Sequence, residues 1–104
     1  MDEGKILQAI EIAKNTGKVR IGTNEATKAI ERGIAKLVVV ADDVEPKEVI
    51  MHLDPLCGEK KITIVHVKTK QDLGRAVGIN VPTAAVAIIE EGEAKRNIEE
   101  IRKG

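Results

Sequence analysis

The segment Arg20-Ile21-Gly22-Thr23-Asn24-Glu25-Ala26-Thr27-Lys28 places a glycine turn, polar capping residues and a Glu/Lys pair at the start of a helix. Gly22 lets the backbone approach a partner closely. A cap at Thr23 or Asn24 would open a helix whose free N–H groups and positive dipole end attract phosphate. Asn24 can both donate and accept, whereas ionised Glu25 only accepts, which suits the amino and imino N–H groups of a guanine edge rather than a phosphate. Lys28 follows one turn on and faces the same way. These residue types could form an RNA-reading edge. Taken alone, the segment is equally an ordinary loop-to-helix junction with a solvated lysine.

The other chemistry-bearing residues form no such series. Catalysis would draw on Cys57, His52 or His66, and none of them stands in a nucleophile–base pattern. Gly74 and Gly78 are four apart, but no Lys-Ser/Thr pair follows as in a phosphate loop. No catalytic residue and no enzyme activity are expected. One cysteine cannot close an internal disulfide, and Cys57 with two histidines is too sparse for a zinc site, so no metal or cofactor is expected either. No run approaches a membrane span, and the acidic start Met1-Asp2-Glu3 lacks the basic region of a signal peptide. A cytoplasmic protein without a membrane partner is the expectation.

With 104 residues and 42% apolar content the chain has room for one core and not two. Phe, Trp and Tyr are absent. Stacking of bases on aromatic rings is thereby excluded, so any nucleic-acid contact must use hydrogen bonds, charge and aliphatic side chains. The net charge is zero, yet its distribution is uneven. From Lys14 to Lys36 six bases meet two acids, from Asp42 to Glu59 six acids meet one base, and from Lys60 to Arg75 five bases meet one acid. A fold that joined the two basic segments would own a positive patch, and the acidic stretch could dock a protein.

The elements that must position these residues follow from periodicity. Ile6, Ala9, Ile10 and Ala13 mark a first helix stopped at Asn15-Thr16-Gly17. A short strand over 19–21 precedes a helix from Asn24 with the stripe Ala26, Ala29 and Ile30, ended by Gly33. Leu37 to Ala41 is a central strand covered on both faces. Pro46 opens a third helix with Val49, Ile50 and Leu53 inward, which Asp54-Pro55 breaks or resets. A strand over 62–67, a helix from Lys70 to Val77 closed by Gly78, a strand over 84–90 and a helix over 93–102 complete the chain. The alternation predicts a three-layer α/β/α sandwich with a small mixed four-stranded sheet. No repeat or linker divides the sequence, so residues 1–104 are expected to be a single domain.

In several blocks kept in register, the chain resembles the kink-turn-binding ribosomal protein family, closest in pattern to its archaeal large-subunit form. The blocks are Gly22 to Lys28, Glu31-Arg32-Gly33-Ile34-Ala35-Lys36-Leu37-Val38-Val39, Ala41-Asp42-Asp43-Val44-Glu45-Pro46, His52-Leu53-Asp54-Pro55-Leu56-Cys57, and Asp72 to Pro82. The resemblance implies a protein that clamps a kink-turn, an RNA bend in which tandem sheared G·A pairs adjoin a short bulge. Asn24, Glu25 and Lys28 would contact the G·A pairs, with Gly22 and Thr23 shaping the turn. Arg32, Lys36 and Lys70 would meet the backbone, Glu45 and Val49 the flipped-out nucleotide, and Ile79, Val81 and Pro82 would cover the bulge. Implied partners are kink-turns of ribosomal and guide RNAs, and scaffold proteins of box C/D and H/ACA modification particles; the chain itself is expected to be a monomer. Ile21 stands where the family usually carries a second basic residue, a role Arg20 could take. The amino terminus is short, and Thr83 and Ala84 vary the loop over the bulge.

Overall fold

A computed structural model describes residues 2–104; Met1 of the acidic start lies outside the described residues. Helix α1 (Glu3–Thr16) is opened by the Asp2 carboxylate, which accepts from the Gly4 N–H at 2.9 Å. Its buried stripe is Ile6, Ala9, Ile10 and Ala13, as the spacing predicts. Strand β1 (Lys18–Ile21), helix α2 (Thr23–Glu31) and strand β2 (Leu37–Ala41) follow. After a 3-10 turn at Lys47–Val49 come α3 (Leu53–Lys60), β3 (Ile64–Val67), α4 (Lys70–Ala76), β4 (Ala85–Glu90) and, past a second 3-10 turn at Gly92–Ala94, α5 (Lys95–Lys103), two residues later than the expected start.

The sheet order is β1-β4-β2-β3, antiparallel across β1/β4 and β4/β2 and parallel only across β2/β3. The expected mixed four-stranded sheet is therefore present, and α3 is the crossover that a parallel pair requires. Helix α2 packs on β1, β4 and α3, while α1 packs on α4 and α5 from the other face. Both faces of the middle strands are thus covered. That is why all five residues of β2 are buried and why the strand reads as an unbroken apolar run. Leu37, Ile88, Leu73, Ile98 and Leu53 fill the interior without an aromatic ring.

Two helices stop by the same device. Gly33 and Gly78 adopt positive φ (69° and 76°), and the following residues, Ile34 and Ile79, donate back to the carbonyls of Ala29 and Gly74. The pattern is a Schellman closure, available to glycine because it carries no Cβ.

The third helix differs from the sequence expectation. Pro46 opens only the 3-10 turn; the helix begins afresh at Leu53 and carries Pro55 in its first turn. A proline there removes an N–H that has no helical acceptor, so it does not break the helix. Ile50 and Leu53 are buried as expected, but Val49 is 42% exposed, because the 3-10 turn points it away from the core. The strand expected from Ile62 starts two residues later, after Lys61 turns left-handed and Ile62 donates to the Cys57 carbonyl to close α3.

Cys57 is buried in α3, and burial, aided by the Asp54 charge, pushes its thiol up to about 11. The neutral thiol should resist alkylation at pH 8 in the folded protein and react on denaturation; mass spectrometry with and without urea checks this. Native-state labelling at the rate of a free thiol would contradict the burial.

Candidate nucleic-acid interface

The topology brings the ends of β1, β2 and β3 and the start of β4 to one end of the sheet, since Ile21 pairs with Val86, Val40 with Ala85, and Ala41 with Val67. The connections that leave or enter there are β1–α2, β2–α3, β3–α4 and the last residues of α4–β4. Candidate residues from Gly22 to Pro82, scattered over sixty positions of sequence, are gathered by this arrangement, with Arg32 and Lys36 excepted.

Gly22 is the junction. Its N–H donates to the Ala85 carbonyl at 2.8 Å, extending the β1–β4 ladder, and its own carbonyl accepts from Ala26 at 2.9 Å to begin α2. It adopts φ 101°, ψ 159°, a conformation that L side chains rarely enter, and nothing lies within 4 Å of where its Cβ would stand. The glycine is needed for the turn, and the space before it is open. This corrects the expected cap. Because strand and helix meet at a single residue, α2 starts at Thr23, so Thr23 and Asn24 are already helical and no side chain caps the first turn. Those N–H groups, with the positive dipole end, face outward.

Asn24 and Glu25 are exposed, and Lys28 lies 3.4 Å from the Glu25 carboxylate as an i,i+3 ion pair. Such an exposed pair adds under about 1 kcal/mol to stability and leaves both groups free to change partner. A shallow depression is lined by Ile21, Gly22, Thr23, Asn24, Glu25, Val49 and His52. The outward Val49 thus joins the glycine edge. Met51, 64% exposed, stands in the same connection. Glu45 is exposed ahead of the 3-10 turn.

The α4–β4 loop returns along α4. The Thr83 N–H donates to the Lys70 carbonyl at 3.0 Å, and the buried Thr83 hydroxyl donates at 3.3 Å to the Ala85 carbonyl, the same oxygen that receives Gly22. One carbonyl therefore ties the loop to the glycine edge. Val81 is 61% exposed and Pro82 is exposed, while Ile79 is half-buried; with Asn80, Gln71 and Arg75 they line a second concavity beside α4. Lys70 begins α4 at the same end, its N–H bonded to Asp43 Oδ1 at 2.8 Å.

Arg32 and Lys36 stand apart. Arg32 terminates α2, and Lys36 lies beyond it, its N–H donating to Ile88 and its carbonyl accepting from Arg102, both at 2.6 Å. Nine helical residues separate that end from Gly22, roughly 13 Å at the helical rise. The two basic segments do not build their patch at the glycine edge: Lys18, Lys36, Lys60 and Lys61 sit at element ends opposite the loops, and Lys68 and Lys70 sit among the loops. The acidic stretch is partly engaged within the protein. Asp42 and Asp54 bracket His66 at 2.7 and 3.1 Å, and Asp43 holds Lys70.

Two links could not be found by local pattern. Thr27 Oγ1 lies 2.8 Å from His52 Nε2, joining α2 to the start of α3 across 25 residues, and His66 pins β3 to two carboxylates from different elements. Burial disfavours protonation of His66, but hydrogen bonds to Asp54 and Asp42 and their charges outweigh it, so its pKa is raised. The resulting stabilisation is full below the ordinary histidine value and fades as pH rises through the higher folded-state value. His66 is more than a third exposed, so the effect should stay under about 1 kcal/mol. The stability gap between wild type and His66→Gln should narrow from pH 5.5 to 8 in urea titrations; a gap that widened would refute the pin.

The chain matches the model of the ribosomal protein L7Ae/L30e/S12e/Gadd45 family over residues 4–98. Among solved structures it is similar to the Giardia lamblia 15.5kD RNA binding protein, with 31% identity and a TM-score of 0.90 over 97% of this chain and 87% of that one.

Proposed function

The chain belongs to the ribosomal protein L7Ae/L30e/S12e/Gadd45 family, and from that premise we propose that it binds structured RNA by recognising kink-turns. The whole chain acts as one RNA-binding domain, in the cytoplasm. The observation that carries the reading is the uncapped first turn of α2. It presents outward N–H groups, the Asn24 amide and the Glu25 carboxylate in one depression with an exposed aliphatic, Val49. N–H groups and Lys28 suit phosphate, while a carboxylate beside them suits the free N–H donors of sheared G·A pairs. Val49 and the Val81-Pro82 tip can pack on splayed bases in a protein that has no aromatic ring. Lys70 meets the backbone at the same end, and Arg32 and Lys36 meet it farther along α2.

The chain is not an enzyme. Its family is one of ribosomal proteins, and the groups a catalyst would need are committed elsewhere: Cys57 is buried and neutral, His66 is held by two carboxylates and His52 by Thr27. Among the described residues no helix is long and apolar enough to cross a membrane. A place in the large ribosomal subunit and in box C/D and H/ACA particles fits the same surface. Glu45 beside Val49 meets the flipped-out nucleotide, and the exposed Glu48 and Met51 would remain beside bound RNA for a scaffold protein.

The test is a titration of labelled kink-turn RNA against a duplex in which Watson–Crick pairs replace the tandem G·A, at two salt concentrations and with a reporter of bending. Tight, G·A-dependent binding with bending is expected. Weak binding that tracked only salt would refute the kink-turn reading and favour a protein partner on the acidic connection.

A further inference from the structure

The hydrogen bonds around Thr27 fix the protonation pattern of the His52 ring. Thr27 Oγ1 lies 2.7 Å from the Thr23 carbonyl, which can only accept, so the single hydroxyl proton is spent there. His52 Nε2, 2.8 Å from the same oxygen, must therefore donate to it. In the neutral imidazole that places the proton on Nε2 and leaves Nδ1 an unprotonated acceptor. Nδ1 makes no hydrogen bond among the described residues, and the ring lines the depression with Asn24, Glu25 and Val49.

We propose that His52 is a specificity-determining residue of the RNA interface: held by Thr27 as the Nε2–H tautomer, it offers Nδ1 to a hydrogen-bond donor of the RNA. The proposal rests on the kink-turn reading for its ligand. Its chemistry stands on the proton count at Thr27. The rim then carries three acceptors, the Glu25 carboxylate and the Asn24 amide oxygen on α2 and Nδ1 on the residue that precedes α3, fastened together by the Thr27–His52 bond. An acceptor-rich rim discriminates between RNAs by which donors they expose and where: in a Watson–Crick duplex the imino N–H groups are used in pairing, and the remaining amino and 2′-hydroxyl donors are fixed in regular groove geometry. The donor is a ribose 2′-hydroxyl or a base N–H.

The ring nitrogens are read first, by long-range 1H–15N spectra at pH 8. The free protein should show an acceptor-type Nδ1, and that signal should move when RNA saturates the protein. A ring protonated on Nδ1, or an Nδ1 unchanged at saturation, overturns the proposal whether or not the RNA bound is G·A-dependent, so its failure is separable from failure of the kink-turn reading. His52→Leu should weaken binding of the G·A RNA about 3- to 10-fold and leave the Watson–Crick duplex nearly unchanged. His52→Gln, which retains a donor and an acceptor, should recover most of the loss. Equal losses on both RNAs, or no recovery by glutamine at unchanged fold by circular dichroism, would make His52 a structural residue only. Single 2′-deoxy substitutions identify a hydroxyl donor and inosine for guanine identifies the amino donor, each by abolishing the difference between wild type and His52→Leu.

Discussion

Gly74→Ala should lower stability by about 1 to 3 kcal/mol, although alanine is the better helix former. Gly74 is buried in α4, where glycine costs about 1 kcal/mol relative to alanine by propensity. Its presence there has a steric reason. A Cβ at this position would collide with the Val81 carbonyl oxygen and stand 3.2 Å from the Pro82 Cα, both backbone atoms that cannot rotate aside. The loop would have to lift off α4, straining the Thr83-to-Lys70 hydrogen bond and, through the Ala85 carbonyl, the anchor of Gly22. The urea midpoint should fall without a change in slope, and RNA affinity should fall further at urea-free conditions where the variant is still folded. A variant that gained stability would mean that the loop does not lie on the helix.

That coupling shows why the sequence revealed the parts of this site better than their assembly. Glycine stops and apolar stripes are written locally: Gly17, Gly33 and Gly78 end helices where the periodicity fails, and Leu37–Ala41 announces its burial on both faces by having no polar alternation. The residues around Pro46 to Pro55 misled because proline marks either a helix start or a helix break. Only the register of the first turn decides which, and here Pro55 sits inside it. Val49 is therefore outward, not inward as a helix opened at Pro46 would place it. The cap was misplaced because the strand ladder reaches Gly22, a bond to Ala85 that no window of sequence contains. For the same reason nothing near His52 announces Thr27, whereas the place of Arg32 and Lys36 at the far end of α2 from Asn24 follows from the helix length alone. Hydrogen bonds between elements 24 or more residues apart are consequences of the strand order, which periodicity does not encode.

Glu25→Ala should cost on the order of 1 to 3 kcal/mol in binding a kink-turn, about 5- to 150-fold, and blunt discrimination for G·A pairs. The argument is electrostatic. A carboxylate at a surface meant for a polyanion repels the backbone, so it is tolerable there only where N–H donors compensate it. In the free protein Lys28, 3.4 Å away, supplies part of that compensation, and on binding Lys28 can turn to phosphate while guanine N–H groups take the carboxylate. Glu25→Gln should recover little, since an amide places a donor against a donor. Arg32→Ala, one helix length from the depression, should instead reduce the salt slope and leave the preference for G·A pairs intact. Titrations of the three variants against the kink-turn and the Watson–Crick duplex at two salt concentrations separate these outcomes. If Glu25→Ala lost as much on the duplex as on the kink-turn, its carboxylate would be bridging to RNA nonspecifically, and base recognition at the start of α2 would have to be assigned to Asn24 alone.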